Sequence, residues 1–279
     1  MILHDIKEKD SVLRDTAHNK LSILIGMDSF SYVVYDPGKG LFWYRSFSLT
    51  GDGTVPAIAS LEKLLRGEVA FQKQYALTSV IYHMPHFTVI PDRLYRPEDQ
   101  HAYLQHLTPL TGDDLLETDD LPSARAHLVY RLPATYQQLV QEFLPHTRST
   151  HLGSLFVNHL NNLHFSGSGD QIYLYLSGHL LYALYFREGQ FVFHNTFTFR
   201  SSKDCLYYVL LLFNQFNLDQ EQTTVHLCGQ LLPDSEIYRL LQRYLGKLET
   251  LELPMQLTLA DPLREYPEHF YFDHALNLL

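Results

Sequence analysis

Residues 171–199 read QIYLYLSGHLLYALYFREGQFVFHNTFTF, and residues 21–49 read LSILIGMDSFSYVVYDPGKGLFWYRSFSL. Laid over one another at an offset of 150 without a gap, they share four identities: Leu24 with Leu174, Tyr32 with Tyr182, Tyr35 with Tyr185, and Phe47 with Phe197. Their organisation agrees better than their letters. Each holds two β-rich runs, a tight turn and a third run. The turn is Asp36-Pro37-Gly38-Lys39-Gly40 in one copy and Arg187-Glu188-Gly189-Gln190 in the other; proline fixes φ and glycine is free to take φ > 0. The third runs, Leu41 to Leu49 and Phe191 to Phe199, alternate. Alternation places Phe191, Phe193, Phe197 and Phe199 on one core face, with His194, Thr196 and Thr198 on the other. The first turns are Gly26-Met27-Asp28-Ser29 and Ser177-Gly178-His179. Each segment therefore predicts a three-stranded antiparallel meander.

The agreement continues outward. After the first meander, Ile58, Leu61, Leu64 and Leu65 mark one face of a helix over Pro56 to Leu65. After the second, a helix over Ser201 to Asn217 is capped by Ser201 or Ser202, with Asp204 in its first turn. It is apolar nearly all round from Leu206 to Phe213, which predicts burial. A short β-branched strand follows each helix, Thr78 to Tyr82 and Thr223 to Leu227. Both halves thus read β-β-β-α-β. The fold class is α/β with mixed sheets, because a helix that joins two parallel strands lies on a sheet face.

The stretch between the halves, about 85–165, reads as an inserted subdomain. Pro91 to Glu98 is loop, and a short helix runs from Pro97 to Leu107. Thr108 to Pro122 is acidic and turn-rich and reads as a solvated loop. His127 to Leu132 is a strand, Pro133 to Pro145 a helix with Tyr136, Leu139, Val140 and Phe143 on its apolar face, and Ser154 to Leu163 another helix. Ser166-Gly167-Ser168-Gly169-Asp170 is the clearest linker. The expected units are 1–165 and 166–279.

This pattern resembles the actin-like ATPase (ribonuclease-H-like) superfamily, whose hallmark is two β-β-β-α-β halves around a cleft. More narrowly, SILIGMDSFSYVVYD (22–36), SVIYHMPHFTVIPDRLY (79–95) and YLYLSGHLLYALYFREGQFVFHNTFTFRSSKDCLYYVLLLF (173–213) resemble a bacterial family of unknown function with that fold. The resemblance covers about residues 20–272. It implies a nucleotide in the cleft, a phosphate loop at each first turn, and glycines facing adenosine after the strand of the second half. The matching positions are Gly26, Asp28 and Ser29, then Ser177, Gly178 and His179, and Gly229 for the adenosine side. Asp28 is followed by Ser29-Phe30, without the glycine that lets backbone approach phosphate. The second turn has no carboxylate, and Cys228-Gly229-Gln230 has one glycine where the family has two. The missing groups are those that would neutralise triphosphate and Mg²⁺.

Composition narrows the rest. The chain has 279 residues, with 31 acids against 21 bases for a net charge of −10. Such a charge repels nucleic-acid phosphate and anionic lipid. A ribonuclease-H-type nuclease would need three or four clustered acids, and Asp28 alone does not supply them. The longest apolar run, Leu206 to Phe213, is far short of a membrane span. Two cysteines, Cys205 and Cys228, and a charged N-terminal stretch without a signal-peptide core suit a reducing cytoplasm. Among 16 histidines, His83-Met84-Pro85-His86 and the pair His101 and His106 lack metal-ligand spacing, and HExxH and Cys-x-x-Cys are absent. Gly51-Asp52-Gly53-Thr54 reads as a loop ending in a Thr54 cap, with an anion site at the helix N-terminus as the alternative. Tyr173, Tyr175, Tyr182, Tyr185, Tyr207 and Tyr208 form either a tyrosine-rich core rim or a half-wet cleft or interface. The tail from His269 to Leu279 is apolar enough to dock on the body or on a partner.

The expectation is a degenerate actin-like fold without catalysis, bound cofactor or metal, acting through a protein partner or self-association. The competing expectation is an ATPase or small-molecule kinase that holds ATP and Mg²⁺ with Asp28 as its only phosphate-loop carboxylate.

Overall fold

The computed structural model describes residues 1–8, 15–50, 56–162 and 169–279. The Gly51–Thr54 loop and residues 166–168 of the expected linker lie outside the described residues. In chain order the strands and helices are β1 (Ile2–Lys7), β2 (Lys20–Gly26), β3 (Ser29–Asp36), β4 (Gly40–Ser48), α1 (Ala57–Gly67), β5 (Leu77–His83) and β6 (Phe87–Pro91). Then come α2 (Gln100–Leu104), β7 (Asp114–Leu121), β8 (Ala126–Pro133), α3 (Ala134–Phe143), β9 (Arg148–His151) and α4 (Leu152–Asn162). The second half adds β10 (Asp170–Ser177), β11 (Leu180–Arg187), β12 (Gln190–Thr198), α5 (Ser202–Phe216), β13 (Thr224–Gly229), α6 (Glu236–Tyr244), β14 (Lys247–Thr250) and α7 (Phe272–Leu278).

Two mixed sheets carry the molecule. The first runs β1-β4-β3-β2-β5-β9 and the second β12-β11-β10-β13-β14. Apart from β1 they match strand for strand: two antiparallel pairings on one side of the central strand and two parallel pairings on the other. A third sheet, β6-β8-β7, forms the inserted subdomain. No helix among the described residues is long and apolar enough to cross a membrane.

Register corrects the ungapped overlay. Both outer hairpins carry a bulge, opposite Val34/Tyr35 in the first sheet and opposite Tyr185/Phe186 in the second. Superposing the bulges puts Leu41 over Phe191 and Trp43 over Phe193, at an offset of 150, but Tyr35 over Phe186 and Val34 over Tyr185, at 151. The second hairpin turn is one residue shorter, which absorbs the difference. Phe47 and Phe197 are therefore equivalent, whereas the Leu24/Leu174, Tyr32/Tyr182 and Tyr35/Tyr185 matches are one residue out. One residue in a strand reverses the face. Accordingly Tyr32 packs on Phe71 and donates to Glu68 beside α1, while Tyr182 points the other way, toward the junction of the halves.

Other expectations change for local reasons. The predicted solvated loop contains β7, paired along its length with β8. Its acids are held there: Asp114 binds Arg131 at 2.7 Å, Glu117 accepts from Gln137, and Asp119 accepts from Thr150 Oγ1 and the His151 N–H. The bulge at Val192 takes Phe191 off the shared face. It packs with the junction core while Phe193 and Phe197 pack beneath α5. Helix α5 starts as predicted, in a capping box of Ser201 and Asp204, with Ser202 bonded instead to Glu236 of α6. It is not buried all round: Tyr207 is 61% and Leu211 39% exposed.

The tail docks on the body. Residues Leu253 to Leu278 return to the first sheet and pack on Val33, Leu41 and Tyr44. Gly40, at φ +84°, permits this approach, since a Cβ there would lie 2.2 Å from the Thr258 carbonyl oxygen. The Leu41 N–H donates to that oxygen at 2.8 Å.

Candidate functional site

Strands β2 and β10 end at the two turns expected to face phosphate. In the first, a Cβ on Gly26 would lie 2.5 Å from Ser29 Oγ, so the turn folds tightly onto its own strand end. The Leu49 N–H holds the Asp28 carbonyl at 2.7 Å, and the Tyr136 hydroxyl of α3 donates to the Met27 carbonyl at 3.2 Å. The Asp28 side chain itself is exposed. In the second turn Ser177 is buried, whereas Gly178, at φ +57°, and His179 are exposed. Gly229, at φ +93°, meets β10 so closely that a Cβ would lie 2.3 Å from the Leu176 carbonyl oxygen. Gln230 then donates from its backbone N–H to that oxygen at 2.7 Å and from its side chain to Tyr44 Oη at 3.3 Å. The last bond spans the two halves.

Two of the predicted residues, Gly26 and Gly229, are connected through side chains that spacing rules passed over, His83 and Tyr175. His83, at the end of β5, lies beneath the first turn, its Nδ1 3.4 Å from where a Gly26 Cβ would be. Its ring sits 5.0 Å from Tyr182 and 5.8 Å from Tyr175 of the second half. Beside it are His151 at the end of β9 and His194 on β12, joined through Phe87, which is 4.8 Å from one ring and 4.6 Å from the other. Tyr182 Oη and His151 Nε2 both donate to the Met84 carbonyl, at 2.9 and 2.8 Å, while His151 Nδ1 accepts from the Gly153 N–H. That assigns the Nε2–H tautomer. His194 Nδ1 donates to the Ala183 carbonyl at 3.2 Å. Both nitrogens of His83 and Nε2 of His194 are buried without a hydrogen-bond partner.

Burial sets the protonation of this floor. It pushes His83 down to about 3, with the nearby His151 adding to the effect. His151 falls to about 4, its bond to Met84 and the neighbouring Asp119 opposing the shift. His194 falls to about 3. All three rings are neutral at pH 7, and the buried acid of the floor, Asp273, lies against Tyr175. Helix α7 closes the junction. Tyr175 donates to Asp273 Oδ2 at 2.7 Å, and His274 bridges Ser22 Oγ and Ser31 Oγ, each at 2.9 Å.

Among the described residues no group of three His, Cys, Asp or Glu converges as metal ligands. Around the two phosphate-type turns the donors are serine hydroxyls, backbone N–H groups and one carboxylate, Asp28. The second turn, Ser177-Gly178-His179, supplies no carboxylate. Sequence reading met His83 only as half of a rejected metal pair. His151 gave no local signal, and Tyr175 and Tyr182 stood out only as members of the tyrosine group, since their roles arise from contacts across the halves.

No curated protein matches the chain significantly. Solved structures are similar to it, among them two that align over most of both chains. One is a protein of unknown function with an actin-like ATPase fold from Bacteroides thetaiotaomicron, 18% identical, with 85% of this chain and 91% of that one aligned at a TM-score of 0.74. The other comes from the PilM–PilN type IV pilus biogenesis complex, 14% identical, covering 95% and 98% at a TM-score of 0.59. At these identities the likeness establishes the fold, which is the actin-like ATPase fold. A family model described as a protein of unknown function, DUF3822, matches residues 9–248, and the chain belongs to that family.

Proposed function

We propose that this protein is a non-catalytic member of the actin-like fold that works through protein association in the cytoplasm. The observation that carries this reading is the floor between the halves, where neutral His83, His151 and His194 with Tyr175 and Tyr182 bind the two sheets to each other. In that setting the phosphate-type turns present one carboxylate, Asp28, and the second turn presents none. The floor is a joint; its groups do not shuttle protons near pH 7. One neighbour of the same fold is a complex, PilM–PilN, which supports association as the use of such a scaffold. Two buried, unpaired cysteines fit a reducing compartment, and the net charge of −10 opposes a nucleic-acid partner.

The test is a melting-temperature series with ATP and Mg²⁺, run beside a phosphate-release assay. The expected result is no saturable rise in Tm and no turnover. A saturable rise that Asp28→Ala abolishes, or turnover lost in that variant, would establish the ATPase or kinase alternative.

A further inference from the structure

The two sheets end in edges of opposite kind. In the first, β1 lies antiparallel on β4, with Asp5 opposite Arg45 and Lys7 opposite Trp43. The counterpart of β4 is β12, and no strand covers it among the described residues. Its nine residues, QFVFHNTFT, hold no charge, proline or glycine. The other edges are blunted in the ways natural sheets use. Strand β1 carries Asp5 and Lys7, β6 ends in Pro91, and β7 holds four acids. The four-residue β9 and β14 carry Arg148 and the pair Lys247 and Glu249. A long, uncharged edge without a covering strand is a template for pairing with another chain.

Helix α5 adds a second observation. One flank faces α6, through Ser202 and Glu236, and the other lies over β12, where Tyr208 stacks on Phe197 at 4.8 Å. Helical spacing puts Leu211, three residues on from Tyr208, toward this second flank; the Tyr207 ring leans on Tyr208 at 5.5 Å, and both Leu211 and Tyr207 are exposed.

We propose that β12 is a self-association edge: two copies pair β12 with β12 antiparallel about Asn195, and their second sheets continue as one. The sequence is self-complementary in that register. Phe193 of each copy falls opposite Phe197 of the other, an aromatic cross-strand pair formed twice. Asn195 falls opposite itself. Its equivalent in the first half is Arg45, which needs the acid Asp5; an arginine would repel its own copy, whereas an amide can donate to and accept from its twin. The backbone agrees. The Glu8 N–H bonds the Phe42 carbonyl, so the outward groups of β4 are those of 42, 44 and 46, equivalent to 192, 194 and 196 on β12. The register about Asn195 pairs 194 with 196 across the two-fold axis, as an antiparallel ladder requires. In the single chain the Thr196 N–H is instead held by Asn195 Oδ1 at 2.9 Å. Across the seam the exposed flanks of the two α5 helices come together and cover Tyr207 and Leu211.

This inference names the partner for the association proposed above and rests on that reading. Size-exclusion chromatography with light scattering on the full chain tests it. The wild type is expected at twice the monomer mass of 32.5 kDa, and Asn195→Arg at the monomer mass with an unchanged far-UV circular dichroism spectrum. Leu211→Glu gives the same readout should Asn195→Arg fail to fold. A monomeric wild type, or a dimer that survives in the folded variant, overturns the proposal. A monomer leaves the absence of nucleotide binding untouched, so the two readings fail separately.

Discussion

The first and second sheets share one strand order, yet the same position does different work in each. Arg45 on β4 is nearly buried, pairs with Glu68 and Asp5, and seals its edge under β1. Asn195, its counterpart on β12, is exposed on an open edge. Tyr32 and Tyr182, which are one residue out of register with each other, face α1 and the other half respectively. The first sheet is thus closed on its outer edge, and the second keeps its edge open. At the junction their inner faces share the aromatic and histidine floor. A repeated scaffold fixes where side chains can point, and the residues then decide which surfaces are closed.

The contrast can be broken most severely at the floor. Tyr182→Ala removes a fully buried ring shared by His83, Phe87 and His194 and a bond to Met84. Denaturant unfolding should show a loss of about 3–5 kcal/mol, the range for aromatic truncation in a core.

Acid acts on the same place. In the folded protein His83, His151 and His194 titrate below the value of about 6.5 that an unfolded histidine has. Between these values the unfolded chain binds more protons, so stability is full above pH ~6.5 and falls as pH drops toward 4, by about 3 kcal/mol per histidine at pH 4. Melting temperature against pH checks this, and His83→Phe should flatten the curve. A stability independent of pH from 7 to 4 would contradict the neutral floor.

Arg45→Asn gives the first half the residue of the second. It leaves Glu68 and Asp5 without their cation and should cost about 2–3 kcal/mol, below the figure for a fully buried pair because both side chains keep some exposure. Gly153→Ala drives a Cβ to within 2.4 Å of His194 Nε2 and should cost about 1–3 kcal/mol as overpacking. The reciprocal exchange, Asn195→Arg, should move monomer stability by no more than about 0.5 kcal/mol, since the position is exposed.

Local pattern made much of this fold legible. Alternation in the third strands, the capping box at Ser201 and the turn residues at 36–40 and 187–190 signal their elements directly. What escaped was decided at a distance. Strand β7 holds four acids and would read as loop in any window, and only Arg131, Gln137, Thr150 and the His151 backbone make it a strand. A single-residue difference in turn length shifted the overlay, and with it the match of one leucine and two tyrosines in each half. The turn residues of the site were legible as a pattern. The floor beneath them was not, because His83, His151 and His194 come from three separate elements and mean nothing until the sheets meet.

The central claim is that the junction is a joint and not a nucleotide site. Calorimetric titration of the wild-type chain with ATP and Mg²⁺ tests it most directly. The account predicts no saturable heat up to millimolar nucleotide; saturable binding at micromolar concentration, lost in Asp28→Ala, would contradict it.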